Sequence, residues 1–239
     1  MVGLCLKEAR VATANKLRQY GINTADLEAD YIISHVCGID RVHLLVEGGR
    51  ILTSDEVNKI TDIIKMRTAG VPLQYLIGEW EFYSMPFLVG EGVLIPRPDT
   101  EVLVDRAIQI LKGSGDQPVI ADLCSGSGCI AIAIKKNMPS VRVFAVERSP
   151  KAMHYLIKNK AKNNVDIVVA NPPYLNKDDI ENLQREVAFE PREALYGSSD
   201  GLRFYREITA IWTRRIKHGG ILMYESGQGQ HEEVLQIML

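Results

Sequence analysis

The sequence predicts an α/β protein in three parts: a small helical module, a β-hairpin, and a parallel sheet wound with helices. Three observations carry this reading. About the first 70 residues show helical periodicity with caps and glycine stops. Tyr75 to Leu94 is rich in aromatic and β-branched residues, broken by Gly78, Pro86, Gly90 and Gly92. From Ile95 onward, short apolar runs alternate with helical segments, the pattern of a sheet covered by helices. We place the boundaries at residues 1–72, 73–94 and 95–239.

In the first part, Leu6 to Tyr20 reads as a helix closed by Gly21, and Asp26 to Cys37 as a second closed by Gly38. A third short segment starts after Asp40. Thr53-Ser54-Asp55-Glu56 has capping-box spacing and opens a helix reaching about Ala69, stopped by Gly70. Short connections between such helices favour a small bundle. The hairpin is expected to link this bundle to the helix-covered sheet.

In the third part, Val119-Ile120-Ala121-Asp122-Leu123 reads as a strand. It runs into the turn Cys124-Ser125-Gly126-Ser127-Gly128 and then an apolar helix from Cys129 to about Lys136. A glycine turn between strand and helix lets backbone N–H groups and the positive helix end approach a ligand closely. The next strand, Val141 to Val146, ends in Glu147, where an acid can accept both hydroxyls of a ribose. This Rossmann-like unit suits a nicotinamide dinucleotide or S-adenosylmethionine, but the turn lacks G-x-G-x-x-G spacing. Further on, Val165 to Ala170 reads as a strand that ends in Asn171-Pro172-Pro173-Tyr174. Proline stiffens this segment, leaving the Asn171 amide oxygen and the Pro172 carbonyl as neighbouring acceptors. Two acceptors suit a planar NH2 group with two donors, and Tyr174 adds an aromatic face or hydroxyl. With this shelf present, S-adenosylmethionine is the better reading. Cys124, Ser125, Gly126, Ser127, Gly128, Glu147 and Asn171 are the expected cofactor residues.

These strings together resemble the peptide chain release factor glutamine methyltransferases, a class I family of the Asn-Pro-Pro-Tyr type. Ile95-Pro96-Arg97-Pro98-Asp99-Thr100-Glu101 is similar to that family's segment before the catalytic domain. Phe189-Glu190-Pro191-Arg192-Glu193-Ala194-Leu195 and Asp200-Gly201-Leu202 resemble its loop after the catalytic strand. Leu222-Met223-Tyr224-Glu225 looks like its fifth strand. The resemblance implies methyl transfer from S-adenosylmethionine to a glutamine side-chain amide in the Gly-Gly-Gln motif of release factors, leaving S-adenosylhomocysteine. It also implies that the helical module grips this protein substrate. Asn171, Pro172 and Tyr174 are then the catalytic candidates; Pro173, Arg97, Glu101 and Glu190 join them around the substrate, and Glu225 is a further pocket candidate.

Three departures stand out. Cys124 occupies a turn position that is usually Gly in the family. Lys162-Asn163-Asn164 passes straight to Val165, where the family has another strand, and Leu239 precedes its terminal hairpin. A doubly wound sheet needs a strand and its crossover at that join. We therefore expect a stretch to be missing between Asn164 and Val165, and the C-terminus to be truncated.

The net charge of −2 leaves no global basic footprint for nucleic acid. Lys158-Asn159-Lys160-Ala161-Lys162 reads as a solvated helix face. No apolar stretch reaches transmembrane length, and the first residues do not form a signal peptide. Cys5, Cys37, Cys124 and Cys129 show neither C-x-x-C nor Cys/His metal spacing, so reduced thiols and no metal are expected. The resulting expectation is a cytoplasmic monomer that binds release factors, but neither nucleic acid nor membrane. The alternatives are an adenine-amine methyltransferase acting on nucleic acid and a non-catalytic S-adenosylmethionine-binding protein that docks the translation machinery.

Overall fold

The computed structural model describes residues 3–113, 118–163, 177–181, 183, 185–214 and 221–239. The chain divides into two compact units, Met1–Ile77 and Gly78–Leu239.

The first unit is helical: α1 (Leu6–Gln19), α2 (Ala25–Cys37), α3 (Arg41–Val46), α4 (Ser54–Thr68) and α5 (Leu73–Ile77). Its core arises from spacing. Leu6, Ala9, Thr13 and Leu17 form one buried stripe on α1, and Val57, Ile60 and Ile64 form another on α4. The anticipated capping box is present: Thr53 Oγ1 accepts the Glu56 N–H, and Glu56 accepts the Thr53 N–H. Asp40 caps α3, and Gly38 ends α2 in the left-handed conformation. Buried Arg67 on α4 grips Glu28 on α2 through Nε at 2.7 Å and Nη2 at 3.0 Å.

The second unit opens with β1 (Glu79–Phe82) and β2 (Met85–Leu88), an antiparallel pair. Next come α6 (Thr100–Lys112), β3 (Val119–Leu123), α7 (Cys129–Asn137), β4 (Arg142–Val146) and α8 (Pro150–Asn163). Strands β3 and β4 pair in parallel, Val119 opposite Arg142 through Leu123 opposite Val146. Such pairing needs a crossover, and α7 supplies it. Every residue of α7 from Cys129 to Ile134 is buried, so this helix forms the centre of the core. Beyond lie α9 (Lys177–Glu181), α10 (Arg192–Leu195), α11 (Arg203–Trp212) and α12 (His231–Met238), the last two packing around Tyr205, Leu202 and Val234.

Three details differ from expectation. The stretch anticipated as a β-hairpin linker opens with a helix: α5 joins the first core, while the hairpin that follows buries Phe82, Met85 and Phe87 in the second. Phe82 and Phe87 meet edge to face, with centroids 6.0 Å apart. Leu222–Glu225 makes no strand ladder with β3 or β4; instead Tyr224 packs edge-on against Tyr205, and the Tyr205 hydroxyl donates to the Glu225 carbonyl. Finally, Asn159 lies fully buried inside the segment read as a solvated face, whose Lys158 and Lys162 are indeed exposed. Val165–Tyr174 and the Asn164–Val165 join lie outside the described residues.

Candidate active site

The site is built on the turn between β3 and α7. Cys124, Gly126 and Gly128 all take left-handed backbone, with φ of 69°, 54° and 79°. Gly128 has a second reason to lack a side chain, because a Cβ there would lie 2.9 Å from Leu156 Cδ1. For Cys124 the same conformation costs on the order of 1–2 kcal/mol, since its Cβ crowds the backbone. Ties from β4 hold the strained turn: the Val146 carbonyl accepts the Cys124 N–H at 2.9 Å. Glu147 adds a strap. Its Oε2 accepts the Gly126 N–H at 2.8 Å, and its Oε1 accepts the Ser149 N–H at 2.6 Å.

Burial sets the electrostatics. Asp122, at the end of β3, is buried, and neither carboxylate oxygen has a hydrogen-bond partner among the described residues. Loss of water drives its pKa well above the carboxylate range, and the charge of Glu147 adds to this; the nearby Ala131 N–H opposes it without reaching hydrogen-bond geometry. Burial likewise pushes the Cys124 and Cys129 thiols up to about 12, so both stay protonated and unreactive at neutral pH.

In front of the turn lies a cavity of about 750 Å³, a volume suited to a nucleoside-sized ligand. Cys124, Ser125, Gly126, Ser127, Glu147 and Arg97 all line it. Glu190 stands behind Arg97, accepting from its Nη2 and, at 3.2 Å, from the Ile95 N–H. Burial raises the Glu190 pKa, and Arg97 opposes the shift. Glu101 is not among the lining residues: its carboxylate accepts the Tyr83 N–H at 2.7 Å and so pins the hairpin turn to α6. Gly128 shapes the turn without facing the cavity. Asn171, Pro172, Pro173 and Tyr174 lie outside the described residues.

The sequence reading missed further lining residues, among them Thr100, Phe189, Arg192, Tyr196 and Phe204. It also missed Ser149-Pro150, although a serine before a first-turn proline marks a helix start directly after the acid. The residues present fit a nucleoside cofactor with a polar tail. Close backbone approach is open at Gly126, Ser125 Oγ is buried without a partner among the described residues, and Glu147 keeps free acceptor directions. Among the described residues no His/Cys/Asp/Glu group could hold a metal ion, and no helix is long and apolar enough to cross a membrane.

A glycine turn after the first parallel strand, an acid closing the second, and a cavity over both define the Rossmann-like methyltransferase class. Consistent with this, residues 101–191 match the TRM5/TYW2 methyltransferase domain, and residues 8–78 match the PrmC N-terminal domain. The release factor glutamine methyltransferase of Thermodesulfovibrio yellowstonii is 41% identical over 235 residues, covering 89% of this chain and 83% of that protein. The Geobacter sulfurreducens protein of the same name is 38% identical, covering 93% and 84%. That of Fusobacterium nucleatum is 36% identical over 258 residues, covering 97% and 73%. The chain therefore belongs to the release factor glutamine methyltransferase family. The Fusobacterium match, at 258 residues, is longer than this entire chain of 239, so the relative carries residues without a counterpart here.

Proposed function

We propose that this protein transfers a methyl group from S-adenosylmethionine to the side-chain amide nitrogen of a glutamine in the Gly-Gly-Gln motif of peptide chain release factors. The observation that carries this reading is the convergence of the turn, Glu147 and Arg97 on one cavity in a member of this family. In this reading the backbone of Ser125 to Gly128 receives the polar tail of the cofactor, and Glu147 accepts its ribose hydroxyls. The cofactor, when bound, supplies an electrophilic methyl group on a sulfonium and leaves as S-adenosylhomocysteine.

The chain's own part is orientation. An amide nitrogen is a poor nucleophile because its lone pair is delocalised into the carbonyl. The Asn171 side-chain oxygen and the Pro172 carbonyl each accept one proton of the substrate NH2, which favours positive charge developing on that nitrogen. Tyr174, from its place in the Asn-Pro-Pro-Tyr motif, is proposed to add an aromatic face or hydroxyl. Preorganised acceptors of this kind act through positioning and electrostatics, and the surplus proton leaves to water after transfer. Arg97, held by Glu190, borders the substrate end of the cavity. The helical unit grips the release factor, a role supported by its match to the PrmC N-terminal domain. The protein works in the cytoplasm, as a monomer, without binding nucleic acid. We further propose that the residues missing relative to its relatives fall at Asn164–Val165, which sequencing the gene across that join would test.

Incubating the protein with S-adenosylmethionine and purified release factor, followed by peptide mass spectrometry, tests the reaction. A single added methyl group on the glutamine is expected, and Asn171→Ala should slow its appearance by about two to three orders of magnitude. No added methyl on release factor, alongside efficient methylation of DNA adenine, would overturn the proposal.

A further inference from the structure

The buried stripe of α8 reads Ala152, Leu156, Asn159 and Asn163, so two amides stand where apolar side chains would ordinarily pack. Burying an amide is costly unless each polar atom is satisfied. Asn159 is fully buried, and its bonds are specific. Oδ1 accepts the Leu88 N–H at 2.6 Å, while Nδ2 donates to the Leu88 carbonyl and to the Ser127 carbonyl, both at 3.0 Å. This pattern admits one orientation of the amide, because a flipped group would set donor against donor at Leu88. Asn163, one turn on, donates to the Pro86 carbonyl at 3.1 Å and to the Asn159 carbonyl at 3.1 Å, without touching the turn.

The Ser127 carbonyl and the Gly128 N–H belong to one rigid peptide plane. Gly128 N–H donates to the Ser125 carbonyl at 2.8 Å, and Asn159 holds the other end of the same plane. Without Asn159 the Ser127 carbonyl loses a buried partner, and the plane is free to rotate beside a glycine for which left-handed and other backbone states are close in energy. Ser127 lines the cavity and Leu88 belongs to the hairpin, so a single side chain joins the two.

We propose that Asn159 is a positioning residue that locks the glycine turn onto the β1–β2 hairpin, coupling cofactor occupancy to the rigidity of the hairpin. This rests on the reading of Cys124 to Gly128 as the cofactor turn. The test compares S-adenosylhomocysteine binding by calorimetry, and KM for S-adenosylmethionine against kcat, in wild type, Asn159→Leu and Asn163→Leu. Asn159→Leu is expected to weaken binding about tenfold and to raise KM more than it lowers kcat. Asn163→Leu should destabilise the fold while leaving affinity within about twofold of wild type. Equal losses of affinity in both variants, in proportion to lost stability, would overturn the proposal.

Should Asn159→Leu fail to fold, hydrogen exchange on the wild-type protein gives the same answer. S-adenosylhomocysteine should slow exchange at Gly128 and also at the Leu88 amide; protection of the turn with Leu88 unchanged would refute the coupling. Wild-type protein that binds no S-adenosylhomocysteine would instead overturn the cofactor reading itself.

Discussion

Replacing Glu147 with alanine separates the strap seen in the structure from the ribose contact proposed for the same carboxylate. Each oxygen already accepts a backbone N–H, Gly126 at 2.8 Å and Ser149 at 2.6 Å, and each keeps a further lone-pair direction for a ligand hydroxyl. Loss of the charge-assisted pair to a ribose should cost about 1.5–3 kcal/mol, or about 10- to 150-fold in the Kd for S-adenosylhomocysteine. Loss of the two internal straps should lower the stability of the ligand-free protein by about 1–3 kcal/mol. For a chain of this size that lowers Tm by several degrees, roughly 2–4 °C per kcal/mol. Glu147→Gln should fare little better than alanine. Only one of its two terminal atoms can accept, and its NH2 then faces a backbone N–H. Calorimetry gives the affinity and thermal unfolding without ligand gives the strap. If the alanine variant unfolds earlier yet binds as tightly as wild type, Glu147 is a strap alone and the ribose assignment is wrong.

Other consequences are equally direct. Cys124→Gly relieves about 1–2 kcal/mol of left-handed strain against about 0.5–1 kcal/mol of added unfolded-state freedom. The urea midpoint should therefore hold or rise, and a fall of more than about 1 kcal/mol would mean that thiol packing outweighs the strain. Glu28→Ala removes the carboxylate that pairs with the buried Arg67 and should cost about 3–5 kcal/mol in denaturant unfolding, most of it recovered in the double variant Glu28→Leu, Arg67→Met. If the single variant unfolds like wild type, the pair contributes nothing. Hydrogen bonds from Arg50 and Thr53 lower the pKa of Glu56 from 4.5 to about 2. Its contribution is therefore complete above about 4.5 and is lost as pH falls toward about 2. Glu56→Gln should flatten that stretch of the stability–pH curve, and an unchanged curve would refute the capping argument.

Legibility in the sequence tracks the range of the interactions involved. The cap at Thr53 and Glu56 is local, three residues apart, and was legible to within a residue. The turn was legible because strand, glycines and helix are consecutive, and left-handed backbone favours glycine at Gly126 and Gly128. Glu101 marks the opposite limit. An acid beside Arg97 reads as a pocket residue, and only the arrival of Tyr83 from another element shows it holding the hairpin. Asn159 was hidden by its neighbours: lysines on either side signal a wet face, while helical geometry turns position 159 inward with Ala152 and Leu156. Neither composition nor charge could show that Leu88 and Ser127 meet it there with backbone groups that need partners.

The same contrast explains how the turn can be both strained and rigid. Three of its five residues have left-handed backbone, one of them a cysteine, and a chain segment in that state does not hold itself. Its restraints come from three directions: the Val146 carbonyl at the strand end, the Glu147 carboxylate after it, and the Asn159 amide from α8. Each satisfies a different peptide group, so removing one leaves the others in place but frees a plane to turn. A ligand seated against the backbone of such a turn gains affinity when the turn is ordered before it arrives, since ordering it on binding would cost free energy. Strain at Cys124 is therefore compatible with function as long as the surrounding ties outweigh it, and the burden of alignment extends to residues such as Asn159 that hold the turn from behind.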